Sequence, residues 1–203
     1  MGGPGPVTQV VTMSPLLLPF LVLAAAPAVH ESSKPELSGE PPLWEVFAGA
    51  MGGVRGARVS PSGGLILGFN RRVTRWLRPE VVLGQGYSVN PRMHQTMLRF
   101  GTRVQWPVEG RWVPYAWLAF AHNHETLWEH FVADPTATLL GLSSHGSGRL
   151  SGAEGGLGIS VELPKRASDR VAGRLNARVV AAHMWGTAVP IRIDGLVSLG
   201  VCF

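Results

Sequence analysis

Side chains able to do chemistry are concentrated in one stretch of the chain: His122, His124, Glu125, Glu129, His130, Ser143, Ser144 and His145. Two kinds of chemistry are open to such a set. On an extended strand alternate side chains share a face, so His122 and His124 would project together and offer two imidazoles to a metal ion, with Glu129 as a further ligand. A serine beside an imidazole that a carboxylate orients is instead an activated nucleophile. His145 adjoins Ser144, and Glu125 or Glu129 could orient an imidazole if the segment folds back. His122, His124, Glu129 and His145 are therefore the candidate loop site. The simpler reading is a polar loop with interfacial histidines, holding no metal and no cofactor and catalysing nothing.

The elements that flank this stretch read as strands. Runs of β-forming residues bounded by turn signals recur at 43–53, 64–73, 79–88, 96–108, 112–122, 151–163, 171–184 and 190–203. An even number of antiparallel strands returns both ends of the chain to one side. On that side the connections 74–78, 109–111 and 164–170 are short, whereas the opposite side carries the long segment 122–149.

Each strand has two unlike faces. In the fourth, Leu98, Phe100, Thr102, Val104 and Trp106 point one way and Arg99, Gly101, Arg103 and Gln105 the other. The sixth sets Leu157, Ile159, Val161 and Leu163 against Glu154, Gly156, Gly158, Ser160 and Glu162, and the seventh sets Leu175, Ala177, Val179 and Ala181 against Arg174, Asn176 and Arg178. Each polar face is expected to be polar or glycine throughout. With the same phase elsewhere, Glu45, Arg72, Glu80, Arg99, Arg103, Glu154, Glu162, Arg174, Arg178, Arg192 and Asp194 form one interior set. About eight strands enclose a bore that side chains can fill, and the near-balance of signs favours paired plugs over an open pore, because unpaired buried charge is costly.

The ends of the chain add two signals. Residues 14–29 are apolar, end on the small residues Ala24, Ala25, Ala26 and Ala28, and are too short to span a bilayer as a helix. This reads as a signal peptide over 1–28 cleaved after Ala28, with Met13 as an alternative start because 1–13 holds no Lys or Arg; a flexible linker follows over 29–42. At the other end Ile191, Ile193, Val197, Leu199, Val201 and Phe203 alternate with Arg192, Asp194, Leu196, Ser198, Gly200 and Cys202. One face suits hydrocarbon and the other water. A chain that ends at Phe203 on such a strand resembles the bacterial outer-membrane β-barrels, whose C-terminal strand finishes in Phe and is read by the barrel-assembly machinery. Over residues 43–203 the pattern is similar to the small eight-stranded OmpA-like and OmpX-like barrels.

The resemblance implies an all-β fold, an eight-stranded antiparallel up-and-down transmembrane β-barrel, integral in the outer membrane and monomeric. Trp44, Trp76, Trp106 and Trp112 fall beside turns on the side of the termini, as an interfacial girdle would. Its partners would be outer-membrane lipids, lipopolysaccharide and the assembly machinery. With 26 Gly, 16 Pro and 15% charged residues the chain is neither a coiled coil nor a helical membrane protein, and the lone Cys202 excludes an internal disulfide. The net charge of +5 comes from arginines spaced singly instead of in a patch, so nucleic acid is not a partner and anionic lipopolysaccharide is the natural counter-charge.

Three alternatives share the alternation. A soluble sandwich or lipocalin-like barrel would bury the apolar faces and wet the charged ones. A soluble metal-binding barrel is suggested by His122-Asn123-His124 with Glu129, which matches the cupin metal spacing, but Ala116 stands where that motif has glycine and the second motif is missing. A barrel hydrolase acting on lipid A or phospholipid would need a His-x-Ser-Asn signature where this chain has Ala121-His122-Asn123-His124, and Gly141-Leu142-Ser143-Ser144-His145 lacks the last glycine of a nucleophile elbow. The expectation is a structural or surface-interaction barrel, not an enzyme.

Overall fold

The computed structural model describes residues 43–55, 60–90, 92–106, 110–140, 148–164, 171–187 and 191–203. The expected signal peptide and linker lie outside these residues, as does His145. The eight strands are β1 (Trp44–Arg55), β2 (Ser60–Arg71), β3 (Leu77–Ser88), β4 (Met93–Gln105), β5 (Trp112–Leu127), β6 (Gly148–Glu162), β7 (Ala172–Met184) and β8 (Ile191–Cys202). Two short helices, α1 (Trp128–Ala133) and α2 (Pro135–Leu139), follow β5. The strands pair in chain order, all antiparallel, and close as a barrel between β1 and β8. Phe203 completes the seam: it exchanges backbone hydrogen bonds of 2.9 and 3.0 Å with Trp44.

The period-two pattern maps directly onto the two walls. Along β8, Arg192, Asp194, Leu196, Ser198, Gly200 and Cys202 are buried while the residues between them are exposed. Every strand is at least as long as the roughly 9–11 residues that a tilted strand needs to cross a bilayer. The outer wall presents uncovered Leu and Val side chains, Leu65 being 70% exposed and Leu157 68%. Trp44, Trp76, Trp106 and Trp112 stand at the end that holds the termini, where Trp44 stacks on Phe69 at 5.1 Å. A second aromatic group, Tyr87, Trp128 and Trp185, stands at the other end.

Most boundaries shift from the sequence expectation by a few residues, and three of the shifts change which residues belong to the walls. β5 continues to Leu127, so His122 and His124 are strand residues, and the long connection shrinks correspondingly. The polarity of Asn123 and Glu125 suggested a loop, but both point into the bore, where Gln95 donates to Glu125. β3 begins at Leu77, which brings Arg78 onto the inner wall. β2 ends at Arg71, which leaves Arg72 in the turn, half-buried, its N–H bonded to the Leu43 carbonyl. Arg72 has the inward parity but lies past the wall that parity describes.

Candidate functional site

Two charge networks lie inside the bore. Nearer the termini, the Glu45 carboxylate accepts from Asn70 and Asn176, both at 2.8 Å, and pairs with Arg174 at 3.3 Å and Arg103 at 3.5 Å. Arg103 also pairs with Glu80, which holds Arg178 at 2.6 Å. Arg174 reaches Glu162 at 2.6 Å, the Glu162 side chain being 42% exposed at the rim. Arg78 donates to Gln105 at 2.9 Å and to Asn70 at 3.2 Å. Toward the other end, Arg99 joins Glu154 at 2.9 Å and Asp194 at 3.3 Å, and Arg192 joins Asp194 at 2.6 Å. Above this, Arg55 pairs with Glu125 and Gln95 accepts from Arg192.

The links run across the barrel as well as along it. Glu80 and Arg178 lie on β3 and β7, and Arg99 and Asp194 on β4 and β8; each pair is four strands apart in an eight-strand ring. Two charged side chains thus meet from opposite walls at both levels. Such burial is tolerable only because each charge has partners: an ion taken out of water loses several kcal/mol that geometry and extra hydrogen bonds must offset. A void of about 10 Å³ among Phe47, Arg103, Tyr115 and Arg178, room for one water, remains between them.

The inner wall is not polar throughout, which corrects the expectation. Phe47, Met51, Ile66, Val82, Met97, Tyr115, Trp117, Val180 and Leu196 form a buried apolar cluster. Along β8 Leu196 separates Asp194 from Ser198, and along β1 Phe47 and Met51 separate Glu45 from Arg55. Its aromatics also serve the charges: the Arg178 guanidinium lies 4.1 Å over the Trp117 ring, and Trp117 donates to Glu154 at 2.7 Å. Glycines make the room. A Cβ at Gly68 would meet the Phe47 ring at 2.0 Å and one at Gly158 the Tyr115 ring at 2.4 Å, each glycine standing opposite its aromatic on the next strand. Large inner residues face absent side chains, as the narrow bore requires.

Sequence reasoning missed Arg78, Tyr115 and Trp117 as inner residues. The signal was available, since each shares inward parity with neighbours on its strand: Arg78 with Glu80, and Tyr115 and Trp117 with Asn123 and Glu125.

The loop site is divided by the fold. His122 and His124 have outward parity on β5, with their Nε2 atoms 2.9 Å apart and the His122 Nδ1 2.8 Å from Ser151 Oγ on β6. Glu129 is exposed on α1, off the strand that carries the imidazoles. Among the described residues no group of three His, Cys, Asp or Glu side chains is placed to hold a metal.

α1 and α2 pack back on the same outer wall. Tyr87 meets Trp128 edge-on at 5.1 Å, His94 stacks on Phe131 at 4.2 Å, and Thr96 Oγ1 donates to the Thr138 carbonyl at 3.2 Å.

No protein-family model and no curated protein matches the sequence. Solved structures do match in shape. Neisserial surface protein A superposes with a TM-score of 0.52 at 12% identity, over 78% of this chain and 94% of that one. The outer membrane protein OprG of Pseudomonas aeruginosa matches over 83% and 99% of the two chains at 12% identity with a TM-score of 0.47. The N-terminal barrel domain of OprF from the same organism matches over 78% and 97% at 17% identity with a TM-score of 0.46. The chain has the fold of the small eight-stranded outer-membrane barrels.

Proposed function

We propose that the protein is an integral barrel of the bacterial outer membrane with a structural or surface-interaction role, its bore plugged by paired charges. The observation that carries this reading is the pair of ion contacts spanning the bore, Glu80 with Arg178 and Arg99 with Asp194. The uncovered apolar outer wall between two aromatic ends supports its placement in lipid, since soluble monomers rarely expose so continuous a hydrocarbon surface. Export by the signal peptide, monomeric state, and contact with lipopolysaccharide and the barrel-assembly machinery belong to the same proposal, and deletion of Phe203 is expected to impair assembly.

Planar-bilayer recording tests the plug. The folded protein is expected to give at most small, irregular currents, and a stable large conductance would refute it. Location is tested by fractionation: the mature chain is expected in the outer-membrane fraction, with altered gel mobility when unheated, and recovery from the soluble periplasm would sink the reading.

One observation favours a second reading, hydrolysis of envelope lipid esters. The Ser151 hydroxyl, the His122 ring and the His124 ring form a hydrogen-bonded chain on the outer wall. Incubation with phospholipid or lipopolysaccharide decides, with fatty-acid release compared between the native protein and the Ser151→Ala and His122→Ala variants.

A further inference from the structure

The outer wall carries a groove of about 620 Å³, within the range of about 300–1,000 Å³ usual for small-molecule pockets. Its floor is hydrocarbon: Leu65 and Leu67 from β2, Leu83 from β3 and Leu98 from β4. Its polar lining is Gln85, Thr96, His122 and His124, the two histidines closing the β5 side. The segment after β5 overhangs the polar lining. Thr138, 2% exposed, is tied to the wall through Thr96, while Leu140 beside it is 67% exposed and lines the groove. In the strand register Leu67, Leu83, Leu98 and His122 form one row and Leu65, Gln85, Thr96 and His124 the next, so the groove passes from hydrocarbon on β2 to imidazole on β5, and its apolar end opens into the exposed Leu and Val belt.

The surroundings specify the occupant. On the membrane reading, which this inference rests on, hydrocarbon already surrounds the belt, and an acyl chain enters the groove without leaving its solvent. His122 and His124 lie toward the end of β5 remote from the termini, which is the outer leaflet for a barrel whose termini are periplasmic. Arg149, exposed on β6, stands opposite His124 in the strand register, and His122 is held by Ser151. With both His122 ring nitrogens engaged, the His124 Nδ1 has no hydrogen-bond partner, and an imidazole N–H and a guanidinium are donors suited to phosphate. We propose that the groove binds one molecule of the phosphorylated, multiply acylated glycolipid of the outer leaflet, with an acyl chain along Leu65, Leu67, Leu83 and Leu98 and a phosphate at His124 and Arg149, His122 holding the His124 ring in place.

The test is native mass spectrometry of the folded full-length mature chain released from nanodiscs. Each nanodisc contains phosphatidylcholine with either lipid A or phosphatidylglycerol as the minor component. One lipid A per barrel is expected to be retained above its share of the bilayer. Retention should fall about tenfold in a His122→Gln/His124→Gln variant, the scale of losing a charge-assisted contact to phosphate. It should also fall in groove-filling Leu98→Trp or Leu83→Trp, and hold in Leu199→Trp on the far outer wall. Unheated gel mobility confirms that each variant is folded.

Equal retention of phosphatidylglycerol would overturn the assignment, as would a lipid-free dimer, which would make a second copy the occupant. An inserted, folded barrel that keeps no lipid would overturn this inference alone. A chain that fails to enter bilayers at all would instead overturn the membrane reading beneath it.

Discussion

The inner and outer walls of β4 are made of alternate residues on one strand, and they handle burial in opposite ways. Arg99 and Arg103 are each 1% exposed inside, surrounded by named carboxylates, whereas Phe100 between them is 49% exposed outside with no partner required. The inner wall is a set of specific pairings in which each residue depends on another from a different strand. The outer wall is a continuous surface in which any residue of sufficient hydrocarbon character serves. A period-two pattern thus encodes two environments at once, and the difference between them lies in how much each position depends on distant ones.

The comparison breaks most readily on the inside. Glu80→Ala would leave Arg178 and part of the Arg103 charge unpaired, with an expected loss of about 3–5 kcal/mol in barrel stability, measured by reversible urea unfolding in lipid. Adding Arg178→Leu should recover part of that loss; simple additivity would show that the crossing pair is not coupled. On the outside, Val197→Arg near the middle of β8 should cost about 2–4 kcal/mol, and Leu163→Arg past the end of β6 about 0–1 kcal/mol. Equal costs at both sites would contradict a depth-dependent lipid environment.

Packing of the bore gives a smaller effect. Gly68→Ala is expected to destabilise by about 1–3 kcal/mol through overpacking against Phe47, and Phe47→Leu in the same chain should relieve some of it. Least affected is the exposed face of α1, where Val132→Ser should change stability by no more than about 0.5 kcal/mol in the same assay.

How far these features were legible follows from their physical range. Membership of a wall was readable wherever alternation ran on, as from Arg99 to Gln105 and from Ile191 to Phe203, because side-chain direction along a strand is set by local covalent geometry. Boundaries were less readable. Arg78 was assigned to a turn and Asn123 and Glu125 to a loop because polar residues at a strand end look alike whether they leave the sheet or face a polar bore. The apolar cluster of Phe47, Tyr115 and Trp117 went unrecognised because its volume is accommodated by glycines on adjacent strands, a match visible only in register.

By itself the sequence determined an antiparallel barrel of eight strands, which residues of the long alternating runs face inward, and a near-balance of charge among them. Only the tertiary structure decided that Glu80 meets Arg178 and Arg99 meets Asp194, that Arg72 lies past the end of β2, and that His122 and His124 stand on the outer wall while Glu129 stands on α1. The physical reason is that parity is a property of neighbouring peptide units, whereas a contact across the bore depends on closure, tilt and stagger of all the strands together.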